Sequence, residues 1–406
     1  MNAKKNEGYV IWGIASMIYI IIFFHRVALG AVKMPVLVQI GIAGTPYEGS
    51  LYAMLAGMYM YAYMLMQIPT GILADTVGPR KTITAGAILT SFGTLGFIFS
   101  TSIYTAAFFR LCVGAGSAVV FVCILKLITA WFPKEQFTVM SGLTSFIGNM
   151  GAVLAISPLV YASEKMGWHY ALGLIAVLGF VLAGLSAMLL KDRPDMEAHD
   201  VIKQSIDVKH CVLKILRDGK LYPVMIAYGL TFGGTMALTG TWGIELVENL
   251  YGVSRTSAAQ SMTMMTIGVA IGCVLIGKVA KQAKTYRGPM VAFSGAHFIC
   301  WLVLLSWRFQ GVALQMLFFL LGVTGTSFIV SWNYAKSKYK LAYSGIVMSV
   351  VNFFGFLGGA LVPQIVGGVY DVVVQQGSSH IWMCLVVYLT VNAGIAFILL
   401  TTVENT

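Results

Sequence analysis

Residues 21–30 read IIFFHRVALG, which sets His25 and Arg26 among side chains suited to hydrocarbon. An arginine at the centre of a membrane helix costs on the order of 3 kcal/mol on insertion scales, so it turns toward a partner or toward water. Its planar fork suits a carboxylate or a phosphate; the competing reading is a structural arginine bonded to backbone carbonyls at an outer gate. Counted from a helix start near Gly8, Arg26 lies about 25 Å along the axis, past the bilayer midplane. His25 beside it is a group that changes charge near neutral pH. Two more bases, Arg110 and Lys126, share a later apolar run. Sixteen residues at about 100° each set them about 160° and about 24 Å apart, so they cannot serve one small ligand together. Lys126, near the end of its run, either snorkels or meets a substrate.

Acids are scarce. No Asp or Glu sits mid-run in the first half, which leaves Glu245 and Glu248 in TWGIELVENLYG, with His25 and His297, as candidates for coupling to a proton or sodium. Both glutamates also fit solvated interface positions. Tyr59, Tyr63, Gln67, Asn149, Trp242, Asn333 and Asn352 complete the polar candidates for a substrate site, because a polar group inside a membrane is useful only where a ligand, water or another helix meets it. The sequence shows no metal-ligand cluster, no phosphate-cradling glycine loop and no nucleophile with its base, so neither a cofactor nor an enzyme is expected. The six cysteines show no C-x-x-C pairing and read as packing.

The elements that must position these residues are apolar helices. The 406 residues are 58% hydrophobic and 10% charged, with a mean hydropathy of +0.83, more apolar side chain than one soluble core can hide. Runs of about 20 residues, enough to cross a bilayer, lie near 9–31, 49–73, 82–101, 103–131, 138–162, 168–190, 221–249, 257–277, 289–306, 310–334, 343–370 and 380–402. The expectation is an all-α membrane protein of twelve transmembrane helices, since a β-barrel would show short alternating strands. The first run is read as a retained helix, without a small-residue cleavage site.

The net charge of +11 is a topology signal before it is a hint of nucleic acid. Outside the runs nineteen of the 26 Lys and Arg fall on one side, and only Lys33, Lys165, Arg255 and Arg308 on the other. The positive-inside rule then makes both termini cytoplasmic and makes the bilayer the partner in place of nucleic acid. The polar stretch 191–220 separates an N-terminal bundle, 1–190, from a C-terminal bundle, 221–406. A weak echo links the fifth run of each half, SGLTSFIGNMGAVLAISP at 141–158 and SGIVMSVVNFFGFLGGALVP at 344–363, so two six-helix pseudo-repeats are expected, with a site between them.

The loop after the second run, GILADTVGPRK, contains Gly71, Asp75, Gly78, Arg80 and Lys81. It resembles the G-x-x-x-D-x-x-G-[RK]-[RK] signature of the major facilitator superfamily, with Thr76 and Pro79 departing from it. RLCVGAGSA, which begins at Arg110, resembles the family's R-x-x-x-G-x-G-x-A element, and WFPKEQ is similar to the ending found in anion:cation symporter and nitrate-carrier-like branches. The resemblance implies a conformational latch at Gly71, Asp75, Gly78, Arg80, Lys81 and Arg110. It also implies a first span that lines a central cavity, and a monomer. The second-half loop GKVAKQAKTYRG has Lys281 where an acid would stand. Together these readings point to an inner-membrane carrier of a small organic anion, working by alternating access. The rival readings are a dipeptide or zwitterion carrier, with Arg26 on the carboxylate and Glu245 on the amine, and a transporter-like sensor that binds without flux.

Overall fold

A computed structural model describes residues 2–192, 208–283, 285–339, 344–377 and 380–404. Among them eleven helices are long and apolar enough to cross a membrane: α1 Asn6–Ala31, α3 Pro79–Ile98, α4 Ile103–Trp131, α5 Val139–Met166, α6 Trp168–Leu189, α7 Gly219–Tyr251, α8 Arg255–Ala283, α9 Arg287–Ser306, α10 Gly311–Ser337, α11 Gly345–Gln375 and α12 Ile381–Thr401. The remaining span, α2, is Glu48–Leu65 joined to Pro69–Thr76 across a 51° bend. Helices satisfy their own backbone groups, which hydrocarbon cannot. Pro69 lacks the N–H that a straight helix would use there, so the chain bends at that point. Residues 193–207, half of the stretch 191–220 and including Arg193 and Lys203, lie outside the described residues, as do Lys284 and Lys340.

Packing repeats between the halves. In the first, α1 lies along α5, α2 along α4 and α3 along α6; in the second, α7 lies along α11, α8 along α10 and α9 along α12. The sequence echo therefore falls on the two helices, α5 and α11, that occupy equivalent places. Across the halves α2 packs along α11 and α5 against α8, the same pairing seen from either side. With no hydrophobic drive between helices in lipid, these contacts rest on close backbone approach. Gly151 of α5 lies against the Ile20 carbonyl of α1, and Gly358 of α11 against Gly229 of α7, with no space at either for a side chain.

The two faces are unlike. At the far face, opposite the N-terminus, polar contacts join the halves: Asp371 accepts from the Gly49 and Ser50 amides at 2.7 and 2.8 Å, Tyr52 donates to the Thr241 carbonyl at 3.1 Å, the Ser157 and Thr263 hydroxyls are 2.7 Å apart, and Arg255 donates to the Ala31 carbonyl at 3.2 Å. At the near face the described polar contacts stay within a half, among them Trp12 to Thr144 at 2.8 Å and Lys191 to Glu7 at 2.6 Å.

The glycine contacts give the first prediction. Gly358→Val should destabilise by about 1–3 kcal/mol through overpacking and lower the apparent melting temperature in detergent, whereas Gly142→Ala, where an added Cβ meets nothing within 4 Å, should not lower it.

Candidate functional site

Arg26 sits between the halves. Its guanidinium carbon lies 4.2 Å from the ring centre of Phe23, 5.3 Å from that of Tyr63 and 5.5 Å from that of Phe356 on α11. It lines a small cavity with Ala56 and Met60 of α2, Arg110 of α4, Met236, Gly240 and Thr241 of α7, and Gly359 and Pro363 of α11. The Nε atoms of Arg26 and Arg110 are buried without a hydrogen-bond partner. Ion pairs among the described residues use other bases, Lys33, Lys126, Lys191, Lys220, Arg255 and Lys338, so neither guanidinium has an acidic partner. Two fixed cations with unused donors, walled by aromatic faces, make a site complementary to an anion.

The family resemblance placed Arg110 with the latch. It is 4% exposed, shares the Arg26 cavity, donates to the His25 carbonyl at 3.3 Å and lies 5.3 Å from the Tyr59 ring centre. Tyr59 donates to the Ile22 carbonyl at 3.3 Å, and Tyr63 stacks on Phe356 with centroids 4.3 Å apart. Both tyrosines thus hold the floor around the two guanidinia. On the C-terminal side the Tyr228 hydroxyl donates to the Asn352 Oδ1 at 2.9 Å.

Other candidates lie elsewhere. His25, about 100° around α1 from Arg26, faces into the first half, where its Nε2 lies 3.1 Å from the Thr94 hydroxyl. His297 is committed inside the second half, its Nε2 accepting from Trp301 at 3.1 Å and its Nδ1 3.1 Å from the Leu321 carbonyl. Asn149 donates to the Ser145 carbonyl of its own helix at 2.9 Å, so it does not mirror Asn352. Asn333 is exposed, and Gln67 lies at the α2 bend. Trp242 is wholly buried, donates to the Pro363 carbonyl at 3.2 Å and belongs to the far-face seam.

That seam holds the group of residues that sequence reasoning missed. Lys33, read as a loop base, is 1% exposed. Its ammonium pairs with Glu245 of α7, lies 3.7 Å from Glu48 at the start of α2, and is 4.2 Å from the ring centre of Trp242, 4.9 Å from that of Tyr52 and 5.2 Å from that of Tyr370. Glu245 therefore serves an ion pair between the halves and is not a solvated interface residue. Glu248 lies 3.4 Å from Arg255. The available signal was Lys33 itself, one base inside the apolar stretch VALGAVKMPVLV.

The model of the Major Facilitator Superfamily matches residues 9–363. The chain belongs to that superfamily. It is 24% identical over 419 residues to the "Membrane sensor protein UhpC" of Escherichia coli (strain K12), covering 95% of this chain and 90% of that protein. It is 20% identical over 384 residues to a "Putative tartrate transporter" of Agrobacterium vitis, covering 87% and 82%. Among solved structures, a bacterial homologue of the human lysosomal transporter Spinster, inward-facing and unoccupied, superposes with a TM-score of 0.80 at 13% identity over 98% of both chains. That likeness supports the twelve-helix fold of two six-helix halves.

In this superfamily member the loop between α2 and α3 works within the first half. Gly78 has φ +93°, a left-handed conformation open to glycine, and Pro79 starts α3 directly after it. Asp75 pairs with Lys126 of α4, and Arg80 donates through its amide to Asp192 at 2.6 Å and through its guanidinium to the Ala187 carbonyl. Lys81 is exposed, and Gly71 has open space around it. Lys126 therefore stands at the near-face loop, away from the Arg26 cavity. Because this pair is solvent-accessible, Lys126→Gln should change stability by less than about 1 kcal/mol and leave ligand affinity at the Arg26 cavity unchanged, as read by titration of purified protein.

Proposed function

We propose that this protein carries a small organic anion, bearing a carboxylate or phosphate, across the inner membrane by alternating access. The observation that carries the reading is the pair Arg26 and Arg110, both lining a cavity between the halves and both with a buried Nε that meets no partner. Bidentate, charge-assisted bonds to such forks fit an anion better than a neutral sugar. The likeness to a putative tartrate transporter supports this class of cargo. The halves are 1–190 and 221–406, joined by 191–220, and the near face, with its basic excess, is the cytoplasmic one. The sealed far face and the unjoined near face fit an inward-facing form, and the carrier is taken to act as a monomer. The zwitterion reading loses its amine partner, since Glu245 faces Lys33 and not the Arg26 cavity.

A thermal-shift screen of detergent-purified protein against monocarboxylates, dicarboxylates, sugar phosphates, dipeptides and neutral sugars tests the proposal. One anion class should raise the apparent melting temperature by mass action. Arg26→Ala should abolish that shift, and Arg26→Lys, which keeps charge but loses the fork, should weaken it. Stabilisation by neutral ligands alone, unchanged in Arg26→Ala, would refute the anion reading. Uptake of the same anion into proteoliposomes then separates a carrier from a sensor, which would bind without flux.

A further inference from the structure

The Arg26 cavity is chemically lopsided. Its charge comes from the first half alone, from Arg26 of α1 and Arg110 of α4. Both guanidinia meet one side chain: the Tyr59 hydroxyl is bonded to Arg26, and the Tyr59 ring centre lies 5.3 Å from the Arg110 guanidinium carbon. Arg110 also donates to the carbonyl of His25, the residue before Arg26. The positive charge is therefore gathered at one end. The second half supplies Met236, Thr241, Gly359 and Pro363 to the rest of the wall, and α2 adds Ala56 and Met60. Phe356 of α11, stacked on Tyr63 and 5.5 Å from Arg26, extends the apolar surface. The described residues that line the cavity include no acid, amide or imidazole. Their one hydroxyl, Thr241 Oγ1, gives its proton to the Ala237 carbonyl at 2.9 Å. Nearby hydroxyl protons are spent as well, that of Tyr59 on the Ile22 carbonyl and that of Tyr228 on Asn352.

We infer that the cargo is a monocarboxylate with an apolar body, its head on Arg26 and Arg110 and its body against the second-half wall. The inference rests on the anion reading above and narrows it. A hydroxyl on the body would be buried with no donor or amide facing it, and an unmet buried polar group costs more than a made hydrogen bond returns. A second carboxylate would be worse placed, because both cations stand at the head end and a bare buried charge is costlier still. Sugar acids, dicarboxylates and sugar phosphates are disfavoured on these grounds. An aliphatic chain or a ring is not, since Met60 and Met236 are unbranched, polarizable side chains that adapt to apolar shapes. The division also assigns roles to the halves: the first holds the charge of the cargo and the second reads its body.

The test is titration calorimetry of the full-length, detergent-purified protein at neutral pH with a matched set of acids: acetate, propionate, butyrate, valerate, 3-hydroxybutyrate, succinate, tartrate and glucose 6-phosphate. Affinity should rise about fourfold per methylene along the straight-chain acids until the wall is filled. The hydroxyl of 3-hydroxybutyrate should weaken binding about tenfold relative to butyrate, and succinate, tartrate and the sugar phosphate should bind more weakly than butyrate. Arg26→Lys should weaken every acid by a common factor and leave the gain per methylene. Met236→Gln, which sets an amide in the second-half wall, should weaken butyrate several-fold and erase its margin over 3-hydroxybutyrate, whereas Met236→Leu should keep both. The inference fails, with the anion reading intact, if a hydroxylated acid, a dicarboxylate or the sugar phosphate binds as tightly as butyrate and Arg26→Ala abolishes that binding. It fails too if affinity is flat along the series, or if Met236→Gln keeps the parental margin, a comparison that stands even if Arg26→Ala does not fold. A gain per methylene with affinities unchanged in Arg26→Ala would mark apolar partition and overturn both readings.

Discussion

A cation held at depth in a bilayer has to be matched by something, and the ways in which Arg26, Arg110 and Lys33 are matched organise this molecule. The cost of leaving a charge bare is several kcal/mol, larger than most single packing contacts supply. Lys33 is matched by acids and by three aromatic faces, so it closes a seam. Arg26 is matched by aromatic faces and by the Tyr59 and Tyr63 hydroxyls, and Arg110 by one carbonyl and the Tyr59 and Phe97 rings. The first arrangement is electrically complete within the protein. The other two lack an acidic partner among the described residues, which is the feature the proposed anion reading rests on.

The same distinction explains why the two faces differ. Polar contacts between halves are worth making where they can be fully paired, and the far face gathers them at helix ends, where unused amides and carbonyls are available. Asp371 on the Gly49 and Ser50 amides is such a case. At the near face the corresponding charges are spent inside the first half, Asp75 on Lys126 and Arg80 on Asp192 and Ala187. Those bonds tie α2 to α4 and α3 to the end of α6 within the first half, and leave the near face without a polar tie to the second half among the described residues.

Much of this was legible in the chain. The twelve apolar runs correspond to the spans within a few residues, because the length needed to cross hydrocarbon is a local property of the sequence. The fork at Arg26 was marked by its place in IIFFHRVALG, whereas the second run, 49–73, was read as one unbroken span and its bend before Pro69 was not anticipated. Partners distant in sequence were not legible. Asp75 and Lys126 meet across 51 residues, Lys33 and Glu245 across 212, and no local pattern states such a pairing. Lys33 was placed in a loop since it follows the first run, and Glu245 at the interface since it ends the seventh. The helix ends meet inside a sealed seam, which burial alone reveals. Asn149 and Asn352 show the limit of internal symmetry: equivalent helices, yet one side chain bonds within its own helix and the other to Tyr228.

The cavity and the seam are linked through one short segment of α7. Residues Ala237–Trp242 form a π-helical turn, a geometry that inserts one residue into the helical register and is found most often at functional sites. Gly240 and Thr241 of that turn line the Arg26 cavity, the Thr241 carbonyl accepts from Tyr52, Trp242 floors the seam, and Glu245 follows on the next turn to meet Lys33. Gly30 of α1 presses on the Gly240 backbone from the other half. A ligand shifts a conformational equilibrium only by the difference in its contacts between the two states. On the proposed reading, an anion on Arg26 would meet walls supplied by both halves, Gly240 and Gly359 among them, so its contacts would change if the halves moved. That wall is continuous along α7 with Glu245, which closes the far-face seam against Lys33, so the cavity and the seam share one rigid segment.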